Sequence, residues 1–509
     1  MDNNNNINGY DMSYANAAVC GAGASSNTLG GENYLFPPKA KIEFSKREKI
    51  FAGISAVLGY LSVRLVFVPA GEKNALGLGA ALTLLLICAY CAAFTKKHSA
   101  AHIIRIIIAA AFSANIFLTA NFLIQILSGI FAALVLLYDR VSVSEKFSSL
   151  VRPQFISDIA QALFCPLYKM FGLTGAYKAE KGFAGQCKNI IIGILIALPS
   201  TILASSLLSS ADGRFGAIMG YIFDNGLTNV IKFVFHMLIG LPAALYIFSS
   251  SWNSAHNEFE KAEKMQISEG FLTPIIGFVS VIPMCVIYLI FFFSQLSYYM
   301  SAFENLLPES AVSYSEYARS GFFELCGVAV INLAVIISVN LFCKRNGEKT
   351  DIKIRVISII LSVMTIALIV TAVRKMMLYI SVYGLTRLRF YTSWFMILLA
   401  LVFIGMIVNF VRKINLPRVI VYTFTIMFAV LAFGNCDSII ADYNISGYLN
   451  GEYSEIDVRM ISELSSDCVP TVRKYSEKID IDISSFCNNS GFDTITLSEI
   501  VAEKLYETE

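Results

Sequence analysis

The sequence is poor in charge. Charged residues occupy 15% of its 509 positions and hydrophobic residues 56%, and its mean hydropathy is +0.64. Soluble domains carry about 25% charged residues. This deficit excludes an ordinary soluble protein and indicates a chain built for lipid.

Catalytic and metal-binding patterns are also scarce. There are four histidines, and the sequence has no H-E-x-x-H, no phosphate-binding glycine loop and no Ser/His/Asp arrangement. His98 and His102 have an i,i+4 spacing that suits a metal, but a polar membrane boundary beside Lys96 and Lys97 explains them as well. We predict no metal and no cofactor, and a catalytic role ranks last among the functions considered below.

The apolar runs contain essentially no carboxylates in their interiors. Because a carboxylate at mid-bilayer is costly and usually marks a transport pathway, this disfavours a proton-driven carrier. The N-terminal residues also lack a short apolar segment with a small-residue cleavage site, so we expect no secretory signal peptide and assign insertion to the first apolar run.

Long apolar runs fill the rest of the chain. About 20 apolar residues cross a hydrocarbon core about 30 Å thick, and the sequence repeatedly supplies them. We predict an all-α fold, a polytopic helical membrane bundle of about 11 transmembrane helices. The predicted spans are 50–69, 75–94, 102–117, 119–138, 189–209, 229–250, 271–294, 321–343, 354–373, 390–411 and 417–434.

The run from His102 to Tyr138 is too long for one crossing, since as a single helix it would measure about 55 Å. We predict a hairpin near Asn115 to Asn121, although no Gly or Pro marks a turn there. With the hairpin, 24 Lys and Arg face one side and 8 the other, outside the C-terminal tail. Cytoplasmic loops are rich in Lys and Arg, so the N-terminus is predicted inside and the C-terminus outside the membrane.

Two polar ends flank the bundle of residues 41–434. Residues 1–40 are rich in Asn, Gly and Ser without periodicity, and we predict a disordered cytoplasmic tail. Residues 435–509 carry 15 acidic and 5 basic residues and short amphipathic stretches, which predict a small exported helical C-terminal tail. Cys436, Cys468 and Cys487 lie in this tail, where a disulfide is feasible.

Polar residues gather on the predicted outer face. The stretch SYSEYARSGFFEL places Glu316 and Arg319 at a spacing that allows them to pair, and Arg319 has Asp212 and Asp437 as further candidate partners. A second group lies near residue 380. If they lay on a single helix, its members would form one aromatic and cationic stripe: Tyr379, Tyr383, Arg387, Tyr391 and Trp394. This outer loop is basic, whereas Lys and Arg are otherwise concentrated on the inner side, so a negatively charged group should compensate for its charge. Candidates are lipid headgroups, an anionic ligand or the acidic tail folding back, and we rank the tail first.

Several of these segments resemble those of a known family. YSEYARSGFFELCGVAVINL, YGLTRLRFY, NCDSIIADYNI with LSSDCVP, and LLSSADGRF are similar to segments of a bacterial polytopic membrane family known as a domain of unknown function, type 4173, which is related to type 4153. The resemblance spans about residues 50–475 and implies a location, the bacterial cytoplasmic (plasma) membrane, but no reaction. Together with the predicted topology it marks one candidate ligand-binding constellation: Asp212, Glu316, Tyr317, Arg319, Glu324, Tyr383, Arg387, Arg389, Asp437 and Asn444.

Two functional classes lead. The first is a transporter or ligand-binding protein with a polar site on the outer face, contacting an anionic ligand or lipid headgroup. The alternative is a non-enzymatic envelope sensor or assembly partner that binds another protein through its outer face and tail. A membrane enzyme ranks third, because the outer loop AGEKNA is too short to hold a substrate. The lipid bilayer is an expected partner, and nucleic acid is not.

Overall fold

The structure is a computed structural model. It describes residues 43–67, 76–95, 99–144, 155–177, 201, 203–210, 212–221, 228–256, 272–294, 322–344, 351–412, 414–453, 455–479, 481, 483–486 and 494–507. The chain divides into two compact units, Met1–Glu43 and Phe44–Glu509. The predicted disordered tail, residues 1–40, lies outside the described residues. Everything below concerns the second unit, which contains both the bundle and the C-terminal tail.

The described part of the chain is helical, and eight of its helical segments are long and apolar enough to cross a membrane. Two shorter apolar helices accompany them. These helices are α1 Lys46–Ser62, continued by the π-helical turn Val63–Phe67, α2 Leu78–Phe94, α3 Ala100–Leu118, α4 Phe122–Ser144, α7 Thr228–Ala255, α8 Pro274–Ser294, α9 Phe322–Phe342, α10 Ile352–Tyr383, α11 Arg387–Val411 and α12 Leu416–Phe433. Helices α5 Phe155–Lys169 and α6 Gly213–Tyr221 lie between α4 and α7.

The prediction of a helical membrane bundle is confirmed. Ten of the eleven predicted spans coincide with described helices. Most of the remaining span, 189–209, falls outside the described residues, so the count of eleven stays a prediction. Helix α10 is longer than its predicted span, at 32 residues, and α4 runs six residues beyond the predicted end at 138.

The predicted hairpin is present without glycine or proline. Helix α3 ends at Leu118, and Thr119 has an extended backbone, with φ −110° and ψ 146°. The side-chain carbonyl of Asn121 then accepts the N–H of Ile124 at 3.3 Å and caps the start of α4. Side chains therefore make this turn, and one of them, Asp467, comes from the distant C-terminal tail.

The bundle has two packed regions. In the first, α1 packs on α7 so closely that a Cβ at Gly59 would lie 2.4 Å from the carbonyl of Gly240. Helices α2, α3 and α4 complete this region. In the second, α8 to α11 share one apolar core. Phe112 of α3 and Phe428 of α12 stack at 5.2 Å and join the two regions. The outward faces remain apolar and exposed, as lipid contact requires.

The C-terminal tail folds into short helices with a hydrophobic core of their own. Asn435 adopts a left-handed conformation, φ 47°, which Asn tolerates better than most residues, and it links α12 to the first tail helix. The tail helices are α13 Cys436–Leu449, α14 Val458–Ser462, α15 Val469–Tyr475 and α16 Leu497–Glu507. They rest on the end of the bundle that carries the α3–α4 turn and the α10–α11 loop.

Candidate functional site

A bidentate ion pair joins the bundle to the tail. Arg387 is the first residue of α11 and Asp437 the second of α13. The Nε of Arg387 donates to Oδ1 of Asp437 at 2.8 Å, and its Nη2 donates to Oδ2 at 2.5 Å. The side chain of Asp437 is fully buried, whereas that of Arg387 is 36% exposed. The acidic tail thus folds back onto the basic loop, which was the compensation ranked first from the sequence.

Three further donors saturate Asp437. The Nδ2 of Asn121 donates to its Oδ2 at 3.1 Å. Ser465 donates through its backbone N–H at 3.0 Å and its hydroxyl at 2.5 Å. Arg387 also donates through Nη1 to the carbonyl of Glu463 at 3.0 Å. The pair is therefore the centre of a network that ties the α3–α4 turn, α11 and the tail together.

Asp467 makes a second attachment between the tail and the bundle. Its carboxylate accepts the N–H of Ala120 at 2.8 Å and the hydroxyl of Thr119. The Nδ2 of Asn435 donates to the carbonyl of Asp467 at 3.1 Å. The carboxylate satisfies polar groups of a turn that lacks glycine, which explains how a turn at this position is stable.

Asn444 makes a third attachment. Its Oδ1 accepts the N–H of Leu385 at 2.8 Å, and its Nδ2 donates to the carbonyl of the same residue at 2.7 Å. The preceding Gly384 has φ +73°, and a Cβ there would lie 2.3 Å from Oδ1 of Asn444. Glycine is therefore required at this close approach. The α10–α11 loop is thus fixed by an amide from α13.

Arg389 holds the same loop from within. Its Nη1 donates to the carbonyls of Tyr383 and Gly384, at 2.9 and 2.5 Å, and its guanidinium lies 4.2 Å from the centre of the Tyr379 ring. The Tyr383 ring packs edge-on against that of Tyr379 at 5.1 Å. The prediction of one continuous aromatic stripe is wrong, because α10 ends at Tyr383 and α11 begins only at Arg387.

A cavity of about 580 Å³ lies beside these attachments. Its walls come from the α3–α4 turn, the start of α11 and the tail. Polar groups of Asn121, Gln125, Tyr391 and Ser465 line it, together with the apolar side chains of Phe122, Leu123, Leu388 and Phe486.

Two contacts fix the walls of this cavity. The Tyr391 hydroxyl accepts from Nδ2 of Asn121 at 2.9 Å. In the tail, Thr496 and Glu499 cap α16 reciprocally: the Thr496 N–H donates to the Glu499 carboxylate at 2.9 Å, and the Glu499 N–H donates to the Thr496 hydroxyl at 3.3 Å. The cavity therefore exists only when the tail is docked.

The structure brings together five of the predicted site residues: Tyr383, Arg387, Arg389, Asp437 and Asn444. Asp212 is exposed, and its side chain accepts the N–H of Arg214 at 2.8 Å. Glu324 is exposed in the first turn of α9. Neither lines the cavity. Glu316, Tyr317 and Arg319 lie outside the described residues, and so does the pairing of Arg319. Asp437, one of its candidate partners, is instead paired with Arg387.

Sequence reasoning missed a second polar cluster. Asp139 is completely buried in α4, where its carboxylate contacts His102, Arg105 and Arg140. Asp139 lies near the C-terminal end of α4, so it does not contradict the prediction that span interiors lack carboxylates, but the prediction placed it in a loop. The span was ended at residue 138, one position short of Asp139, whereas the helix continues to Ser144. An acidic and a basic residue in succession after an apolar run were the available signal. In the described residues no group of His, Cys, Asp and Glu has the arrangement of a metal site.

The tail thiols Cys436 and Cys468 are free and buried, and Cys487 lies outside the described residues. The pKa of each described thiol is raised to about 12, chiefly by burial and in addition by the carboxylates of Asp437 and Asp467. Neither is a reactive thiolate at neutral pH.

Comparison with protein families identifies one match. The model of a domain of unknown function, DUF4153, covers residues 58–475. The chain belongs to the DUF4153 family. The sequence resemblance therefore pointed to a family of unknown function correctly, but the matching family is the one named as a relative and not type 4173. No significant match was found among curated proteins or solved structures. The range matched by the DUF4153 model includes Asp437 and Asp467, which attach the tail to the bundle. Helix α16, which closes the cavity, lies beyond the match.

Proposed function

We propose that this DUF4153 protein is a ligand-binding membrane protein whose site is the cavity between bundle and tail. The observation that carries the proposal is the cavity of about 580 Å³, whose walls come from the α3–α4 turn, the start of α11, the tail and Leu76. This volume falls within the range of small-molecule sites, and convergent polar groups on apolar walls are typical of them. A transport role requires this site to communicate with the opposite side of the membrane.

The charges around the cavity favour a neutral or cationic polar ligand. Arg387 is the only basic residue among the described residues that line it, and its guanidinium is neutralised by Asp437. Glu463 and Glu499 add two carboxylates. An anionic ligand, one of the candidates from the sequence, would meet no uncompensated positive charge here. The Tyr391 hydroxyl, which accepts from Asn121 and keeps its own proton to donate, suits a ligand hydroxyl, and the carboxylate of Glu463 suits an ammonium group.

A cavity-filling substitution tests the site. Ala120→Trp places a large side chain at the cavity wall and keeps the backbone N–H that Asp467 accepts. The matched control is Leu86→Trp, on the half-exposed face of α2. Native mass spectrometry of protein released from its own membranes should show a bound small molecule in wild type and control, and should show it lost from the Ala120 variant. Identical spectra for all three proteins would contradict the proposal.

We propose further that the tail side of the molecule faces outward from a plasma membrane, as the distribution of Lys and Arg supports. Glu452 is exposed on the tail, and Lys353 is exposed at the other end of α10. In intact cells a membrane-impermeant maleimide should label Glu452→Cys above the wild-type background and Lys353→Cys only after permeabilisation. The reverse pattern would overturn the orientation while leaving the cavity proposal intact.

Binding of a protein partner through the tail is the second candidate. Its support is the exposed apolar face of α16, where Leu497, Ile500 and Val501 are 37–40% exposed. Ile500→Glu alters this face, whereas Ala120→Trp alters the cavity. In cells that depend on the protein, failure of the Ile500 variant alone would support partner binding, and failure of the Ala120 variant alone would support the ligand site.

A further inference from the structure

Four titratable side chains form a closed cluster at the end of the bundle opposite the tail. They come from the first turns of α3 and the last turns of α4, and each is at most 4% exposed. Arg105 lies 14 residues before Thr119, which places the cluster about 21 Å along α3 from the attachment at Asp467. The cluster is thus separate from the cavity of the proposed function.

The carboxylate of Asp139 is fully engaged. Its Oδ1 accepts from Nε of Arg105 at 2.8 Å, and its Oδ2 accepts from Nη2 of Arg140 at 2.5 Å. Nδ1 of His102 lies 3.0 and 2.9 Å from the two oxygens. Arg140 has further acceptors, because its Nη1 donates to the carbonyl of Cys91 at 3.0 Å and to the hydroxyl of Thr95 at 3.1 Å.

Arg105 lacks such additional acceptors. Both Nη1 and Nη2 are buried and have no hydrogen-bond partner among the described residues. The centre of the Tyr138 ring lies 5.9 Å from the guanidinium carbon. Four N–H groups of a buried cation therefore face no acceptor in the described part of the chain, although such donors are strongly favoured to find one.

The charges of the cluster also favour a bound anion. Among the described residues, the guanidinium groups of Arg105 and Arg140 share one carboxylate, so these three side chains together carry one excess positive charge. A buried uncompensated charge is costly, and an anion would remove that cost. The fork of Nη1 and Nη2 matches the two oxygens of a phosphate or carboxylate group. The cluster also lies at the N-terminus of α3, capped by Ser99, where the helix dipole favours negative charge.

We propose that the outer edge of the Arg105 guanidinium binds an oxyanion, a phosphate or carboxylate group, at the end of the bundle opposite the tail. The phosphate of a membrane lipid and free inorganic phosphate offer the same chemistry. Asp139 positions the guanidinium by holding its Nε, and the anion completes the charge balance of the cluster.

Thermal unfolding of the full chain in lipid-free maltoside detergent tests this inference. One titration adds sodium phosphate at constant ionic strength, and a parallel one adds phosphatidylglycerol. Arg105→Met removes the fork with little loss of volume. The matched control is Arg47→Gln, at the same end of the bundle, where an exposed guanidinium donates to the carbonyl of Ala93 at 2.7 Å.

Wild type and the Arg47 variant should be stabilised by phosphate, phosphatidylglycerol or both, and the apparent affinity should fall at least tenfold in Arg105→Met. A response to the lipid alone identifies a lipid headgroup, and a response to inorganic phosphate identifies a free anion. If Arg105→Met does not fold, the same titrations are made with Arg105→Lys, because lysine keeps the positive charge but lacks the two-pronged donor of the guanidinium group. An unchanged response in Arg105→Lys, or no response of wild type to either anion, would overturn the proposal.

Discussion

Arg387 and Asp437 lie 50 positions apart in the sequence and form a bidentate ion pair whose carboxylate is completely buried. The pair lies where the α3–α4 turn, α11 and the tail meet. Because Asp437 accepts from Arg387, Asn121 and Ser465 together, it fixes the position of the tail on the bundle. The cavity beside it depends on that position.

Asp437→Asn should release the tail. The substitution removes the charge that balances Arg387 and directs an NH₂ group at groups that are themselves donors. Breaking a fully buried ion pair in this way costs about 3–5 kcal/mol. Since Arg387 is one-third exposed, we expect a loss of about 2–3 kcal/mol in the free energy of unfolding. Urea unfolding in detergent measures it, together with faster tryptic cleavage of the tail.

The control for this substitution is Glu463→Gln. Its carboxylate pairs with Arg459 in an exposed i,i+4 contact at 3.4 Å, and the carbonyl used by Arg387 is unchanged. The expected loss is below about 1 kcal/mol. Equal effects of the two substitutions would show that the Asp437 network does not hold the tail.

The turn between α3 and α4 should depend on Asp467. Asp467→Ala leaves the hydroxyl of Thr119 and the N–H of Ala120 without their acceptor, for an expected loss of about 2–3 kcal/mol in the free energy of unfolding. Thr119→Val removes the bond to Asp467 and also the acceptor of the Asn121 N–H, which lies 3.1 Å from the Thr119 hydroxyl, but it keeps the bond from the Ala120 N–H to Asp467 and should cost about 1–2 kcal/mol. Thr392→Val, which removes an exposed hydroxyl bonded within its own helix, is the control and should have little effect. A Thr119 variant as unstable as the Asp467 variant would contradict this account.

The buried tail thiols should make the tail sensitive to alkaline pH. The pKa of Cys436 and Cys468 is raised from 9.0 to about 12 in the folded protein. Between these values the unfolded state holds fewer protons than the folded state, so stability falls as pH rises from about 9 to 12, by up to about 1.4 kcal/mol per pH unit for each thiol. Tail unfolding followed against pH measures this slope.

Cys468→Ala removes one of the two titrations and should therefore give a shallower slope, despite a lower stability at neutral pH. At pH 8 maleimide should react with both thiols about a thousandfold more slowly in the folded protein than in dodecyl sulfate. Equal rates in the two states would show that these thiols are not buried as described.

Asp139→Asn should be among the most damaging single changes in the bundle. It leaves two buried guanidinium groups without a carboxylate, and an expected loss above about 3 kcal/mol follows. Size-exclusion chromatography of the extracted protein should show little folded material. Asp212→Asn, at an exposed carboxylate, should behave as wild type. Normal folding of the Asp139 variant would mean that the cluster is not buried as described.

How far the sequence predicts this protein varies along the chain. The spans were predictable because lipid requires long apolar helices, and ten of them match described helices. The α3–α4 turn was predictable from length and charge, although not from its residues, because its stabilising carboxylate is Asp467, over 340 positions away. The compensation of the basic loop by the acidic tail was likewise predicted from the sequence. Which side chains of the loop and the tail would pair was not predicted.

The sequence alone determined that this protein lies in a lipid bilayer, that its fold is helical and that its tail has an excess of acidic residues. Composition and the length of apolar runs are local properties of the sequence, and the bilayer constrains them directly. Only the tertiary structure decided which charges meet. It paired Arg387 with Asp437, buried Asp139 between two guanidinium groups and left Asp212 and Glu324 exposed away from the cavity. Ion pairs between distant segments depend on helix rotation and length, and a one-residue difference in where a helix ends moves a carboxylate from a loop into the bundle.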